Sequence, residues 1–457
     1  MTLTELRAIL RPGCKAHLVG IGGVSMAPLG EVLHGMGIRV SGSDMKESAT
    51  VAHLRSLGIP VVIGHFAESV QGVDLVIRTA AVHDDNPEIA GARANGIPVY
   101  ERAQAWGALM SDYQHALCIS GTHGKTTTTS MTTHIVMAAE LDPTVMIGGT
   151  LPLLHAGHRV GKGDTIILES CEYCNSFLSF RPTTAVILDI EADHLDFFKD
   201  LADVERSFRA FAELVPADGA VVANADDENT MTTLAGLDRS IITFGFGDYA
   251  DVYCENLTYT NGVGSFDLMR RGERLTHIRL SVPGRHNVSN ALAAAAAALT
   301  IGVEPEAIAA GLNAFRGATR RFEHKGEYNG AQVYDDYAHH PGELHVLLET
   351  AKTLGYQRVI CAFQPHTYTR TAALFDDFVQ ELSQCDLTLL AEIYAAREKN
   401  TIGISSRDIA EKIPGSEYYA TLDEVTARLR EIARPGDLIL TVGAGDIYTV
   451  GEALVKN

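Results

Sequence analysis

Short apolar runs, many of them β-branched, recur roughly every 20–35 residues, and segments with helical spacing fill the gaps, an alternation that predicts parallel α/β sheets. A first block holds strand-like Ala16–Val19, Ile38–Val40, Val61–Ile63 and Asp74–Ile77, separated by helical segments such as Met26–Gly37 and Ala49–Gly58. A second block begins at Ala116–Ile119 and continues through Thr165–Leu168, Ala185–Leu188, Ala220–Ala223 and Ile241–Phe244. Residues 251–282 then read as short antiparallel strands around an Asn261-Gly262 turn, followed by an Ala-dense helix, Asn290–Leu299, and another near Glu304–Phe315. The third block repeats the alternation with strands at Gln332–Tyr334, Arg358–Phe363, Leu387–Ala391 and Leu438–Val442 and a last helix to Leu454. The pattern predicts three α/β domains, 1–110, 111–317 and 318–457.

Composition narrows the class. The 457 residues carry 46% hydrophobic and 21% charged side chains, ordinary globular usage that excludes wholesale disorder. Lys plus Arg number 37 against 57 Asp plus Glu, a net charge of −20, which argues against a protein that coats nucleic acid or an anionic membrane. No uninterrupted apolar stretch of transmembrane length occurs, and Met1–Arg7 lacks the basic and apolar regions of a secretion signal, so a cytoplasmic protein is expected. Seven scattered cysteines, Cys171-x-x-Cys174 among them, fit reduced thiols better than a disulfide scaffold.

The strongest local signal is Gly121-Thr122-His123-Gly124-Lys125-Thr126-Thr127, placed between an apolar strand and a helical pattern. Backbone N–H groups and a helix N-terminus converge there on a spot suited to anionic oxygens, with Lys125 in reach of phosphates and the Thr126 hydroxyl suited to Mg²⁺. Gly20-Ile-Gly22-Gly23-Val-Ser25 repeats strand, Gly-rich turn and helix in the first domain, and Asp44 follows where a ribose-hydroxyl partner is expected. A pyrophosphate site, another anion site and a plain turn all stay open for this second loop.

Two carboxylate clusters follow apolar runs: Glu169-Ser-Cys-Glu172, and Asp189-Ile-Glu191-Ala-Asp193-His194. Ligands bind beyond the carboxyl ends of strands in open α/β sheets, and oxygen donors with one imidazole suit Mg²⁺ or Mn²⁺ held jointly with phosphate. Asn290 reads on its own as a helix N-cap, or as an amide facing adenine. Arg320-Arg321, Tyr334–Pro341 and Gln364–Arg370 place further polar groups at a domain junction and after two strands of the third block.

Taken together, Gly20-Ile-Gly-Gly, Gly121–Thr128, Asn287-x-x-Asn290, Arg321-Phe-Glu, Asp335–Pro341 and Gln364-Pro-His resemble the Mur ligase family of peptidoglycan precursor synthesis, in order and across essentially the whole chain. The resemblance implies a Rossmann-like N-terminal domain for a UDP-sugar, a central P-loop-type ATPase domain and a Rossmann-like C-terminal domain for the amino acid. It implies an ATP-dependent ligase working through an acyl phosphate on UDP-N-acetylmuramate. Segments Ile190–Asp196, Ile393–Glu398 and Thr441–Tyr448 favour L-alanine as acceptor over a recycled tripeptide.

Carried over by the same resemblance, Gly121 to Thr127, His286, Asn290, Arg321 and Asp335 would bind ATP, with Lys125 and Arg321 on phosphate. Thr126 would hold one Mg²⁺, and Glu169 and His194 a second. Gly22, Gly23, Ser25, Asp44 and His65 would line the UDP-sugar pocket, and His340 and Arg370 the acyl and amino-acid site, with His340 a general base. Cys171 stands where many relatives carry Asp, and Thr367 where many carry a second Arg. The expected partners are small molecules, with no nucleic acid and no membrane insertion, in a monomer or homodimer.

Overall fold

The computed structural model describes residues 3–79, 81–195, 197–396 and 398–456. Three sheets carry the architecture. The first has five parallel strands in the order Val61–Ile63, Arg39–Asp44, Lys15–Val19, Leu75–Arg78, Val99–Glu101. Lys15 is exposed and the next four residues are buried, the continuous apolar run of a strand covered on both faces. Gly42 has no side chain because a Cβ there would meet Ile21 and the Leu18 carbonyl at 2.7 Å.

The second sheet has ten strands. Its parallel part runs Ser240–Gly245, Ala220–Asn224, Thr184–Ile187, His115–Ser120, Thr165–Glu169, Thr144–Leu151, with Ala156–Arg159 antiparallel at one edge. At the other end come Val252–Thr260, paired parallel to Ser240–Gly245, then Val263–Arg270 and Glu273–Pro283, with the expected turn at Asn261-Gly262 and another, outside the sequence expectation, at Arg271-Gly272. The alanine helix spans Arg285–Thr300 and buries Ala291 to Ala298 completely. The third sheet runs Glu323–Tyr328, Ala331–Asp336, Asp437–Val442, Arg358–Phe363, Leu387–Ala391, Glu417–Tyr419, parallel except for its first pair.

Contacts divide the chain into two compact units: Met1–Glu255 with Asp267–Ile278 and Ser289–Ala314, and Asn256–Phe266 with Arg279–Val288 and Phe315–Asn457. In the first unit one apolar cluster is continuous from the five-stranded sheet, through Trp106 and Met110, to Phe177, Phe208 and Phe211 beside the ten-stranded sheet. The helix Leu201–Glu213, capped by Asp200 accepting from Asp203 N, buries Val204, Phe208, Phe211 and Ala212 at helical spacing. Phe177 stacks on Phe211 at 4.4 Å and meets Phe208 edge-on at 5.3 Å. In the second unit apolar clusters cover both faces of the third sheet, one around Phe363 and Phe378, the other around Ile360, Val425 and Leu454.

The helix Arg102–Met110 docks so closely that a Cβ on Gly107 would overlap the Ser179 carbonyl. Backbone cannot yield as a flexible side chain can, so Gly107→Ala is expected to cost about 2–3 kcal/mol in urea unfolding. An unchanged midpoint would show that this helix is not seated so tightly.

Candidate active site

The strand His115–Ser120 ends in Gly121 (φ 146°) and Gly124 (φ 77°), both in conformations that a side chain would strain, and the helix Lys125–Ala138 begins at once. That helix opens with a run of threonines, poor helix formers, yet Thr128, Thr129, Thr132 and Thr133 are fully buried. Their burial is tolerated because Thr129, Ser130, Thr132 and Thr133 each donate a hydroxyl to the carbonyl four residues back, at 2.7–2.8 Å. Thr128 donates instead to Asn290 Oδ1 at 3.1 Å. Asn290 lies inside the Arg285–Thr300 helix, so it is not an N-cap; its amide oxygen would lie 2.6 Å from a Cβ on Gly124.

Lys125 curls back over its own loop. Its Nζ donates to Gly121 O at 2.5 Å and Thr122 O at 3.0 Å, and lies 3.2 and 3.1 Å from the two oxygens of Glu172. Burial alone would lower the ammonium pKa, but Glu172, with Cys171 and Glu169, holds it above its ordinary value, so Lys125 stays cationic. Glu172 is 2% exposed and the Lys125 side chain 14%, so this pair is largely shielded from water rather than on the open surface.

Thr126 Oγ1 donates to Glu169 Oε1 at 3.1 Å, and the other oxygen of Glu169 accepts from Gly148 N at 2.7 Å. His194 (φ 53°) sets Nε2 3.5 Å from Glu172 Oε1, and donor atoms of Cys171, Glu172 and His194 all lie within 4.8 Å of one another. A second group on the same loop joins His123, Asp189 and Glu191. Asp189 Oδ1 accepts from His123 N at 2.8 Å, and His123 Nε2 is 3.2 Å from Glu191 Oε2. Burial pushes the Asp189 carboxyl up to about 6 against the pull of His123. Phosphate-loop cation, hydroxyl and hard oxygen donors thus share one end of the ten-stranded sheet, a donor set that fits Mg²⁺ or Mn²⁺ with a polyphosphate.

The first domain's loop is ordered by its own backbone. Gly23 N donates to Gly20 O at 3.1 Å, and Gly22 N to Asp44 Oδ2 at 2.8 Å. Ser25 precedes the helix Met26–Gly35 and pairs with Arg102. His65 follows the strand Val61–Ile63, at the same carboxyl ends that present Asp44 and the Gly20 turn.

In the second unit, Arg320 reaches Asp335 Oδ2 at 2.9 Å and Gly445 O at 3.1 Å, while Thr441 Oγ1 donates to Asp335 Oδ1 at 2.7 Å. Asp335 is therefore fully buried with both oxygens engaged, and Arg321 lies 3.8 Å from Glu343. Burial pushes Asp336 up to about 6, with Arg321 opposing, and its carboxylate accepts from Phe322 N and Ala338 N at 2.7 Å each. His340 caps the helix Pro341–Lys352, its Nδ1 accepting from Gly342 N at 3.3 Å. Arg370 lies 3.4 Å from His366, whose imidazole burial drives down to about 4, and which stacks on Tyr394 at 5.7 Å. His286 is held neutral by burial, at about 4.

Lys125, Thr126, Glu169, His194 and Asn290 come together in the first unit, as do Gly22, Asp44 and His65 beside their own strand ends. The sequence places Glu172 and Asp189 in carboxylate clusters, Arg320 in an arginine pair and Thr128 in the loop motif, but assigns none of the four a partner of its own. The partner of Glu172 was within reach, since a carboxylate three residues after Glu169 at a strand end is placed to meet a loop lysine. Arg320 was hidden by its neighbour, because a pair of arginines does not reveal which one turns inward.

The geometry meets three family models. Residues 15–114 match "Mur ligase family, catalytic domain", 119–298 "Mur ligase middle domain", and 320–445 "Mur ligase, glutamate ligase domain". The chain is 48% identical over 446 residues to a UDP-N-acetylmuramate–L-alanine ligase of Agathobacter rectalis, covering 96% of this chain and 97% of the relative. It is 45% identical to the protein of that name in Clostridium novyi, covering 97% of each. The crystal structure of a UDP-N-acetylmuramate–alanine ligase from Thermotoga maritima superposes with a TM-score of 0.80 at 30% identity, over 97% of this chain and 98% of that one. A murein peptide ligase of Psychrobacter arcticus shares the fold, with a TM-score of 0.71 at 24% identity, over 97% and 98% of the two chains. With models matched across nearly its whole length and full-length relatives well above 30% identity, the chain belongs to the Mur ligase family.

Proposed function

We propose that this chain joins L-alanine to the carboxylate of UDP-N-acetylmuramate, forming ADP and phosphate, and so acts as a UDP-N-acetylmuramate–L-alanine ligase of peptidoglycan precursor synthesis. The observation that carries the reading is the half-buried Lys125 ammonium in a Gly-rich loop, flanked by Thr126, Glu169 and His194 at one sheet end. Full-length relatives bearing that name supply the substrates.

A carboxylate is a weak electrophile with hydroxide as its leaving group. Attack of the muramyl carboxylate oxygen on the γ-phosphorus of ATP breaks the bond to the β–γ bridging oxygen and releases ADP, leaving an acyl phosphate. The amine of L-alanine then attacks the acyl carbon and phosphate departs. Lys125 neutralises charge spread over the transferring phosphoryl oxygens, passing from Glu172 to phosphate as ATP binds. Thr126, Glu169 and His194 would hold Mg²⁺, two ions in our reading with Mn²⁺ as a substitute, which when bound screens the phosphate oxygens.

The same reading assigns Gly121, Thr122, His123, Gly124, Thr127, His286, Asn290 and Asp335 to ATP and Arg321 to phosphate. It assigns Arg370 and His340 to the amino-acid and acyl site, with His340 taking the amine proton. Gly22, Gly23, Ser25, Asp44 and His65 take the UDP-sugar. We place the domain boundaries near 110 and 317, and the enzyme in the cytoplasm. Among the described residues no helix is long and apolar enough to cross a membrane.

Purified protein with ATP, Mg²⁺ and UDP-N-acetylmuramate is expected to release phosphate when L-alanine is added, and far less with glycine, L-serine or an Ala-Glu-diaminopimelate tripeptide. Release driven by the tripeptide alone would make this a recycling ligase, and no release with any acceptor would overturn the reading. Lys125→Ala is expected to lower kcat by about 10²–10³-fold or more. Isothermal titration should show the Kd for UDP-N-acetylmuramate changed by less than about threefold, because that ligand is assigned to another domain. Parallel loss of turnover and sugar-nucleotide binding would refute the assignment.

A further inference from the structure

Glu88, in the first turn of the helix Pro87–Ala94, has no exposed surface, and a buried carboxylate is costly unless its charge is met. Three side chains from the first sheet's domain meet it. His17 Nε2 lies 3.2 Å from Oε1, Ser43 Oγ donates to Oε2 at 2.5 Å, and His65 Nδ1 lies 2.9 Å from that same oxygen. Burial alone would push the carboxyl up, but the bonds from His17 and Ser43 hold it below the ordinary range, so it is ionised near neutrality.

The two histidines are not equivalent. His17 is buried at 1% exposure, and its second nitrogen is tied to Ser41 Oγ at 3.0 Å, so both ring nitrogens are spent inside the fold. His65 follows the strand Val61–Ile63 and is part-exposed. Its Nδ1 has two neighbours, Glu88 Oε2 and, at 3.0 Å, Ser43 Oγ. An ionised carboxylate only accepts, and the single proton of Ser43 is already given to Glu88, so both neighbours require the His65 proton on Nδ1. Nε2 then remains, and among the described residues it makes no hydrogen bond. Ser43 is joined in sequence to Asp44, which holds Gly22 N, so the network and the Gly20 loop share one strand end.

We infer that Glu88 is a positioning residue for the nucleoside diphosphate sugar: it fixes the proton on His65 Nδ1 and thereby offers Nε2 to the ligand. This rests on the reading of the first domain as the UDP-sugar domain. A carboxylate that sets the tautomer and orientation of a ligand-binding imidazole is the arrangement by which metal-site histidines are tuned, used here without a metal.

A double-mutant cycle with steady-state kinetics on the full chain tests the inference. His65→Ala is expected to raise the KM for UDP-N-acetylmuramate about tenfold with kcat and the KM for ATP within twofold. Glu88→Gln should do the same, and the double variant should be no worse than His65→Ala alone, since Glu88 acts through the imidazole. Additive effects, or a silent Glu88→Gln beside a defective His65→Ala, would overturn the positioning role while leaving the pocket intact. A silent His65→Ala would remove His65 from the UDP-sugar site, and the inference with it.

Should Glu88→Gln fail to fold, ¹⁵N-histidine spectra of the unaltered protein decide, with the His65 signals assigned by their loss in His65→Ala. A proton on Nδ1, and a shift at Nε2 on adding UDP, support the inference. A neutral ring with its proton on Nε2, or no response to UDP, refutes it.

Discussion

The ion pair of Lys125 with Glu172 is the constraint from which the rest of the first unit's chemistry follows. An ammonium that is buried at a phosphate loop must have a counter-charge whether or not phosphate is there, and Glu172 supplies it from the end of an adjacent strand at 3.1 Å. That requirement explains the order of the sheet. His115–Ser120, which leads into the loop, sits directly beside Thr165–Glu169, whose end carries Glu169 and Glu172. One strand therefore brings the cation, and its neighbour brings both its resting partner and the oxygen that meets Thr126. Glu172 thus keeps Lys125 charged and shielded from water at the loop before any ligand is present.

A net charge of −20 sits beside substrates that, apart from L-alanine, are anions. The conflict dissolves at short range. A cation such as Lys125, within a few ångströms of its partners and largely shielded from water, is felt far more strongly than the remote surface carboxylates, which solvent and salt screen. Glu172 lies against the Lys125 ammonium and Glu169 against the Thr126 hydroxyl, so both carboxylates are already engaged at the loop. Overall charge thus excludes polyanion-coating functions and says nothing against a small-anion enzyme.

Much of the fold was legible because buried parallel strands announce themselves. Thr165–Leu168, Ala185–Leu188 and Leu438–Val442 are apolar runs with no polar residue but a buried threonine in the first and last, and each belongs to an interior strand of its sheet. The strands that escaped the pattern are short or polar. Val99–Glu101 and Glu417–Tyr419 have three residues each at sheet edges, Glu323–Tyr328 is an edge strand of mostly polar residues, and Thr144–Leu151 carries a Gly-Gly pair. An edge strand satisfies one side only and need not be apolar on both faces, so hydrophobic periodicity finds it only where it happens to be apolar, as in Val61–Ile63. The alanine helix was seen but started too late, because Arg285, His286 and Asn287 have the polarity of a loop, although the helix runs from Arg285.

The site was legible by a different rule. Residues that shape a Gly-rich turn between a strand and a helix, Gly121 to Thr126 and Gly20 to Gly23, lie consecutively and can be read as motifs. Residues that act by meeting another side chain cannot be read in this way, because their partners are far off in sequence: Glu172 is 47 residues from Lys125, and Asn290 is 162 from Thr128. Glu88 is the extreme case. It stands in an ordinary helix start, Asn86-Pro-Glu, where an acidic residue already has a local explanation in the helix dipole and the Asn86 cap. Only the folded domain shows that its carboxylate turns inward to His17, Ser43 and His65, from positions 71, 45 and 23 residues away, and a sufficient local explanation is what concealed the non-local one.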